Sequence, residues 1–193
     1  MPRTDLQDYV DNTLATRSGR DSQRAKVYRW EKATPWWLDM MLTEPLSLVE
    51  CTVMIRRAFK AFGYDATYPY IKDGRGSRVA HGGLYTISLP RWARNPVVVY
   101  HETAHSLLAR GVARKRYLAK GRKIVIPGHG PEFVRLYIEL LARYVKLDRT
   151  ALCKSARAAK IKVAPKDVTI MLAQSVTKPP LPPSISNERG DAT

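Results

Sequence analysis

The chain of 193 residues contains no apolar run approaching the roughly 20 residues that a bilayer-spanning helix needs. Its amino-terminal residues are polar and lack the apolar stretch of a secretory signal. Cysteine is scarce, since only Cys51 and Cys153 occur and no Cys-x-x-Cys pair exists, which argues against a disulfide framework or a zinc ribbon. We therefore expect a cytoplasmic protein without a membrane partner, in which both thiols are free and buried.

Acidic residues are also few. The chain has 33 Lys+Arg against 17 Asp+Glu, which gives a formal net charge of +16. Such an excess favours polyanionic partners, most often nucleic acid, because neutralising phosphates releases their counterions. Charge alone does not identify the polyanion, and a solvated basic surface without a dedicated partner is the alternative.

The length suits a single domain of about 150 residues with a proper core, plus tails. We expect a flexible arm over residues 1–20 and one domain over residues 21–174. Residues 175–193 begin with a proline-rich run and continue as polar sequence, which predicts a disordered tail.

Apolar periodicity predicts an α+β fold that is mainly helical. Residues 46–62 and 131–144 carry apolar side chains at helical spacing. Residues 68–71 and 77–89 are rich in β-branched and aromatic side chains, which predicts a small sheet of about three strands. The pair Gly82-Gly83 within it indicates a bulge or a close backbone approach.

Histidine is a further scarce residue type, with only four in the chain: His81, His101, His105 and His129. His101 and His105 belong to a His-Glu-x-x-His segment, so on a helix they lie one turn apart on the same face. Two such imidazoles can hold one metal ion, while Glu102, one step round the helix, points at the water on the open side of that ion.

The surroundings of this segment predict a helix and a third ligand. Asn95-Pro96 suits a helix start, and Gly111 suits its end. His129 lies in a Gly-His-Gly-Pro-Glu segment, which is typical of a tight turn followed by a new helix from Pro131. A side chain fixed just ahead of a helix can be presented rigidly to a metal that another helix holds.

With these residues in view, residues 82–144 resemble the SprT-like zinc metallopeptidases, the group that includes the DNA–protein crosslink protease Spartan. In that group a His-Glu-x-x-His helix precedes a His-Gly-x-x-Phe-type segment, which here is residues 129–133. Most of residues 21–150 is still more similar to a family of small bacterial and phage His-Glu-x-x-His metalloproteins. An Arg-x-x-Val-Tyr segment recurs there, and here it is residues 24–28.

The resemblance implies a zincin-like fold in which Zn²⁺ is held by His101, His105 and His129. It also implies that Glu102 is the general base of peptide-bond hydrolysis. A protein or peptide is the implied substrate, and DNA is a candidate partner. Crosslink repair itself is an analogy, because we find no zinc-finger or ubiquitin-binding module in these residues.

Other zinc-site classes and functions stay open. A metzincin would need glycine and histidine where the chain has Leu108 and Gly111. A gluzincin would take Glu132 or Glu139 as its third ligand, although the imidazole of His129 is the stronger candidate. Two alternatives to a peptidase are a DNA-associated binding protein with a structural zinc site and a zinc amidohydrolase acting on a non-peptide amide.

The strand over residues 84–89 has two interpretations. In a zinc peptidase its free edge would hold an extended peptide by main-chain hydrogen bonds beside the metal. Alternatively it is an ordinary interior strand. The group that would stabilise a tetrahedral oxyanion is equally open, since Tyr85, Tyr117 and Tyr137 all carry a suitable donor and His81 is an extra candidate for polarising the substrate.

A basic segment connects the motif helix to the third histidine. Its six cationic residues are Arg114, Lys115, Arg116, Lys120, Arg122 and Lys123. Because the segment joins two parts of the predicted metal site, we expect its charge near the cleft, where it would steer an acidic substrate or contact nucleic acid. A solvated basic face is the alternative.

Overall fold

The computed structural model describes residues 3–17, 19–115 and 124–175. The fold is mainly helical with one small mixed sheet, which confirms the expected α+β class. The helices are α1 (Arg3–Tyr9), α2 (Arg24–Lys32), α3 (Pro35–Met41), α4 (Leu48–Ala61), α5 (Pro96–Arg114), α6 (Pro131–Leu140), α7 (Arg149–Ala158) and α8 (Lys166–Ala173). The strands are β1 (Tyr70–Asp73), β2 (His81–Gly82) and β3 (Thr86–Leu89). Short π-helical turns at Val10–Leu14 and Leu141–Val145 extend α1 and α6, and a 3-10 turn at Arg91–Ala93 precedes α5.

Helix α5 starts where the sequence predicts. The Asn95 side chain accepts a hydrogen bond from the Val98 backbone N–H at 3.0 Å, and Pro96 occupies the first helical turn. The predicted stop at Gly111 is wrong, because α5 continues to Arg114. Gly111 instead allows a close helix crossing, since a Cβ there would lie 1.8 Å from the carbonyl oxygen of Leu172 in α8.

The sheet has the order β1-β3-β2, with β1 parallel and β2 antiparallel to β3. Strand β3 therefore has neighbours on both sides and is an interior strand. Of the two interpretations of residues 84–89, the interior strand is confirmed and the free edge is wrong. Strand β2 lies at an edge of the sheet, and α5 packs against both β2 and β3.

One hydrophobic core connects the helices with the sheet, and α5 contacts α4, α6 and α8. The expected flexible arm is wrong for residues 3–17, because α1 packs on α8 and both Val10 and Leu14 are fully buried. The four-residue spacing of these two apolar side chains puts them on one face, which compensates for an otherwise polar segment. The predicted disordered tail lies outside the described residues from position 176 onward.

The amino-terminal segment is also held by a buried carboxylate. Glu132 at the start of α6 is fully buried, and its two oxygens accept hydrogen bonds from Arg17 Nη1 at 2.8 and 2.7 Å. The Tyr9 hydroxyl donates to the same carboxylate. Because Glu132 pairs with Arg17 and Tyr9, its side chain is engaged away from the histidines.

Cys51 in α4 and Cys153 in α7 are free and buried, as the sequence predicts. Within the described ranges, no helix combines the length and the apolar character needed to cross a bilayer.

Candidate metal centre

The structure brings together the three histidines that the sequence singles out. His101 and His105 come from adjacent turns of α5, and His129 comes from the turn that leads into α6. Their ligand nitrogens all lie within 4.8 Å of one another, and the Nε2 atoms of His101 and His105 are 3.2 Å apart. Three imidazoles in this arrangement could hold one metal ion.

The protonation of His101 and His105 suits a ligand role. Burial, with a smaller contribution from His129, lowers the pKa of His101 to about 3. Burial and the neighbouring His101 and His129 also hold the pKa of His105 well below its usual range. Neutral rings keep the lone pair that a metal requires.

A buried histidine nitrogen without a hydrogen-bond partner is the second sign that the site fits a metal. The Nε2 atom of His129 is buried, and among the described residues it has no hydrogen-bond partner. A buried polar atom without a partner is costly, so such an atom calls for an explanation. A cation shared with His101 and His105 would supply the missing interaction.

Two carboxylates outside the predicted site lie beside the Nδ1 atoms of two of the histidines. Glu31 of α2 places Oε1 2.7 Å from Nδ1 of His101, and Asp21 places Oδ2 2.8 Å from Nδ1 of His129. An Nδ1–H that donates to a carboxylate leaves Nε2 free to bind a metal and fixes the orientation of the ring. Sequence reasoning missed both residues. The one available signal was that they are the only acids in the basic stretch of residues 20–32.

Glu102 is buried beside the edge of the sheet. Burial raises its pKa to about 8, the charge of Glu31 adds to the effect, and the Gly82 backbone N–H opposes it. Gly82 is required here, because a Cβ on it would lie 2.0 Å from the Glu102 carbonyl oxygen. The predicted close backbone approach therefore occurs, but between β2 and α5 and not within the sheet. A carboxylate with a pKa near neutrality suits general-base chemistry.

The predicted oxyanion candidates are spread around the site. Tyr137 is fully buried, with its ring centroid 5.4 Å from that of His101, and burial together with Glu31 holds its pKa well above the usual range. Tyr85 is 73% exposed at the turn before β3. His81 on β2 is exposed, and its charge contributes to the lowered pKa of His105. Tyr117 lies outside the described residues.

Two aromatic rings that the sequence analysis did not assign to the site contact the histidines. Phe133 stacks on His105 with a centroid distance of 4.2 Å and an interplanar angle of 20°. Tyr28 of α2 stacks on His101 at 5.7 Å. A cavity of about 360 Å³ opens next to His105, and its apolar lining includes Leu84, Leu108, Val112, Ile124 and Ile126.

The basic segment is only partly described. Lys115 is buried, and its Nζ donates to the backbone carbonyls of Gln174 at 2.5 Å and Leu172 at 3.4 Å. The prediction that Lys115 contacts nucleic acid is therefore wrong, because the side chain binds the carboxyl end of α8. Arg114 is exposed and donates to Ser175 Oγ at 3.1 Å. The other four predicted contacts, Arg116, Lys120, Arg122 and Lys123, lie outside the described residues.

No protein-family model, curated protein or solved structure matches this chain. The geometry of the site therefore carries the functional argument.

Proposed function

We propose that this chain is a zinc-dependent metallopeptidase with a zincin-like fold. The observation that carries the proposal is the convergence of His101, His105 and His129 within 4.8 Å, with Glu102 on the same helix as two of them. Three histidines are one of the donor sets of catalytic zinc sites, in which a water takes the fourth position. When bound, zinc would supply Lewis acidity that lowers the pKa of a water and polarises the scissile carbonyl.

Glu102 is the general base in this proposal. It accepts a proton from the attacking water as the new C–O bond forms, and it returns that proton to the amine as the C–N bond breaks. Burial beside β2 raises the pKa of Glu102 in the metal-free site, which makes its carboxylate a stronger base for this step. Glu31 and Asp21 hold the rings of His101 and His129 in the tautomer that this site needs.

Two observations favour this function over the alternatives. The metal-ligand cluster found among the described residues has three members, and the nearby Glu31 and Asp21 are engaged by Nδ1 atoms, which supports an open coordination position instead of a closed structural site. The cavity of about 360 Å³ beside His105 is lined in part by apolar side chains, which suits the side chain of an extended peptide.

The test compares the zinc-loaded protein with Glu102→Gln. We expect both to hold about one zinc per chain, whereas the variant loses about 100-fold or more in the rate of peptide cleavage. Equal cleavage by both proteins would overturn the mechanism. X-ray absorption of the zinc-loaded protein supplies a second readout, because four protein ligands without an exchangeable solvent position would favour the structural-zinc alternative.

The substrate panel includes peptides, small non-peptide amides and DNA-bound proteins with and without single-stranded DNA. Cleavage confined to small amides would favour the amidohydrolase alternative. The net charge of +16 is the reason for the DNA arm, since polyanions attract such a surface. Contacts with phosphates would make DNA affinity fall steeply as salt rises.

A further inference from the structure

Tyr28 occupies the boundary between the metal centre and solvent. Its ring lies nearly parallel to that of His101, with an interplanar angle of 11°, and its centroid is 4.8 Å from that of His129. Both histidines are buried, whereas Tyr28 is 36% exposed. A side chain that touches two predicted ligands and also reaches solvent lies where a substrate must approach.

The charges of two groups of the site act on the Tyr28 hydroxyl. Partial burial raises its pKa, the charge and hydrogen bonding of Arg24 oppose this, and the charge of Glu102 adds to it. A phenol hydroxyl can donate a hydrogen bond to an oxyanion. It lies within electrostatic reach of the proposed general base.

Arg24 completes this side of the site. Its guanidinium carbon is 5.7 Å from the centroid of the Tyr28 ring, and its charge also contributes to the lowered pKa of His105. Arg24 and Tyr28 are four residues apart on α2 and so lie on the same face of that helix. When the guanidinium donates to the phenol oxygen, the phenol proton points to a different acceptor and becomes a stronger donor.

We propose that Tyr28 is a catalytic residue whose hydroxyl donates a hydrogen bond to the oxyanion of the tetrahedral intermediate, and that Arg24 is its positioning residue. The inference rests on the proposed peptidase function. As the water oxygen adds to the carbonyl carbon, the carbonyl π electrons move to oxygen, and Tyr28 stabilises that charge without giving up its proton. Glu102 takes the proton from the water and delivers it to the leaving amine.

Tyr28 fits this role better than the candidates chosen from the sequence. Tyr137 is fully buried, its ring contacts His101 and Phe133, and the charges of Glu31 and Glu102 add to the raised pKa of its hydroxyl. Tyr85 is 73% exposed. Tyr28 alone among these three combines ring contact with two predicted ligands and partial exposure.

Tyr28→Phe is the principal test, because it removes the hydroxyl and keeps the stacked ring. We expect kcat to fall about 100- to 1000-fold with little change in KM. Zinc content, and the visible absorption of the cobalt-substituted protein, should match those of the unmodified protein. Tyr70→Phe is the matched control, since Tyr70 is an exposed tyrosine on β1, and it should retain full activity. Arg24→Gln should lower kcat by about tenfold, because it weakens the donor without removing it.

Binding without turnover gives an independent readout. A phosphonate peptide mimics the tetrahedral anion, so calorimetry should show at least about tenfold weaker binding to zinc-loaded Tyr28→Phe. Affinity for the peptide substrate, measured in the Glu102→Gln background, should not change when Tyr28→Phe is added. A purely structural role for Tyr28 would weaken both ligands and the zinc site.

The outcomes separate the two proposals. Full kcat and full phosphonate affinity in Tyr28→Phe would overturn the role of Tyr28 while the unmodified protein still cleaves peptides. Absence of both cleavage and phosphonate binding in the zinc-loaded unmodified protein would overturn the peptidase function, and the role of Tyr28 with it.

Discussion

Replacing Glu31 with glutamine tests whether α2 shapes the metal centre. Glu31 Oε1 is 2.7 Å from His101 Nδ1, and both side chains are buried, so solvent does not screen the interaction. Loss of a carboxylate behind a histidine ligand typically lowers metal affinity about 10- to 100-fold. At about 1.4 kcal/mol per factor of ten, Glu31→Gln should weaken zinc binding by about 1.4–2.8 kcal/mol.

The same substitution should have the opposite effect on the stability of the metal-free fold. Burial raises the pKa of Glu31 from its usual 4.5 to about 8, although His129, Tyr137 and Lys32 oppose the shift. A folded-state pKa above the unfolded value gives stability that is fully present below about pH 4.5 and is lost as pH rises through about 8. Glutamine does not titrate. The stability of Glu31→Gln relative to that of the unmodified protein should therefore increase as the pH rises from 5.5 to 8.

Two measurements check this prediction. Competition with a chelator gives the zinc affinity, and urea unfolding of metal-free protein at both pH values gives the stability. Glu139→Gln is the control, because Glu139 is another buried carboxylate, paired with Arg149 at 2.9 Å and Arg135 at 3.5 Å. It should lower stability and leave zinc affinity unchanged. Zinc binding by Glu31→Gln as tight as that of the unmodified protein would refute the reasoning.

Two further predictions concern the scaffold. Gly82→Ala should destabilise the fold by about 1–3 kcal/mol, because its Cβ would lie 2.0 Å from the Glu102 carbonyl oxygen and β2 must move away from α5. Thermal unfolding and peptide cleavage should both report the loss, and an unchanged melting temperature would contradict the close approach. Arg17→Met leaves the buried Glu132 carboxylate without its cation and should cost about 3–5 kcal/mol in urea unfolding. If Arg17→Met unfolds at the same urea concentration as the unmodified protein, residues 3–17 are not anchored to α6 in the way described.

The three histidines could be predicted because two of them form a local pattern. A spacing of four residues fixes the relation of His101 to His105 whatever the rest of the fold does. The turn at His129 is also local, since glycine and proline on either side restrict it. The pairing order of the strands was not predictable in this way. Alternating side chains predict a strand, but they do not tell which neighbours β3 acquires.

Non-local contacts explain the remaining errors. Glu31 and His101 are separated by 70 positions and Asp21 and His129 by 108, so no periodicity links them. Lys115 was misjudged for a similar reason. A basic run predicts an exposed face only if nothing packs there, and α8 packs against α5 with its last carbonyls directed at Lys115.

Helix α2 carries three of the side chains on which the proposed catalytic site depends. Arg24, Tyr28 and Glu31 follow one another at intervals of four and three residues, which is the spacing of a single helical stripe. Val27 and Trp30 anchor the helix to the core. Both are buried, and Nε1 of Trp30 donates to Ser155 Oγ of α7 at 3.0 Å. Because these side chains belong to one rigid helix, weakening the contacts of Trp30 with the core should displace the Tyr28 hydroxyl and the Glu31 carboxylate together. Trp30→Leu should therefore lower zinc affinity and the rate of cleavage in parallel, whereas Tyr28→Phe should lower the rate and leave zinc affinity unchanged.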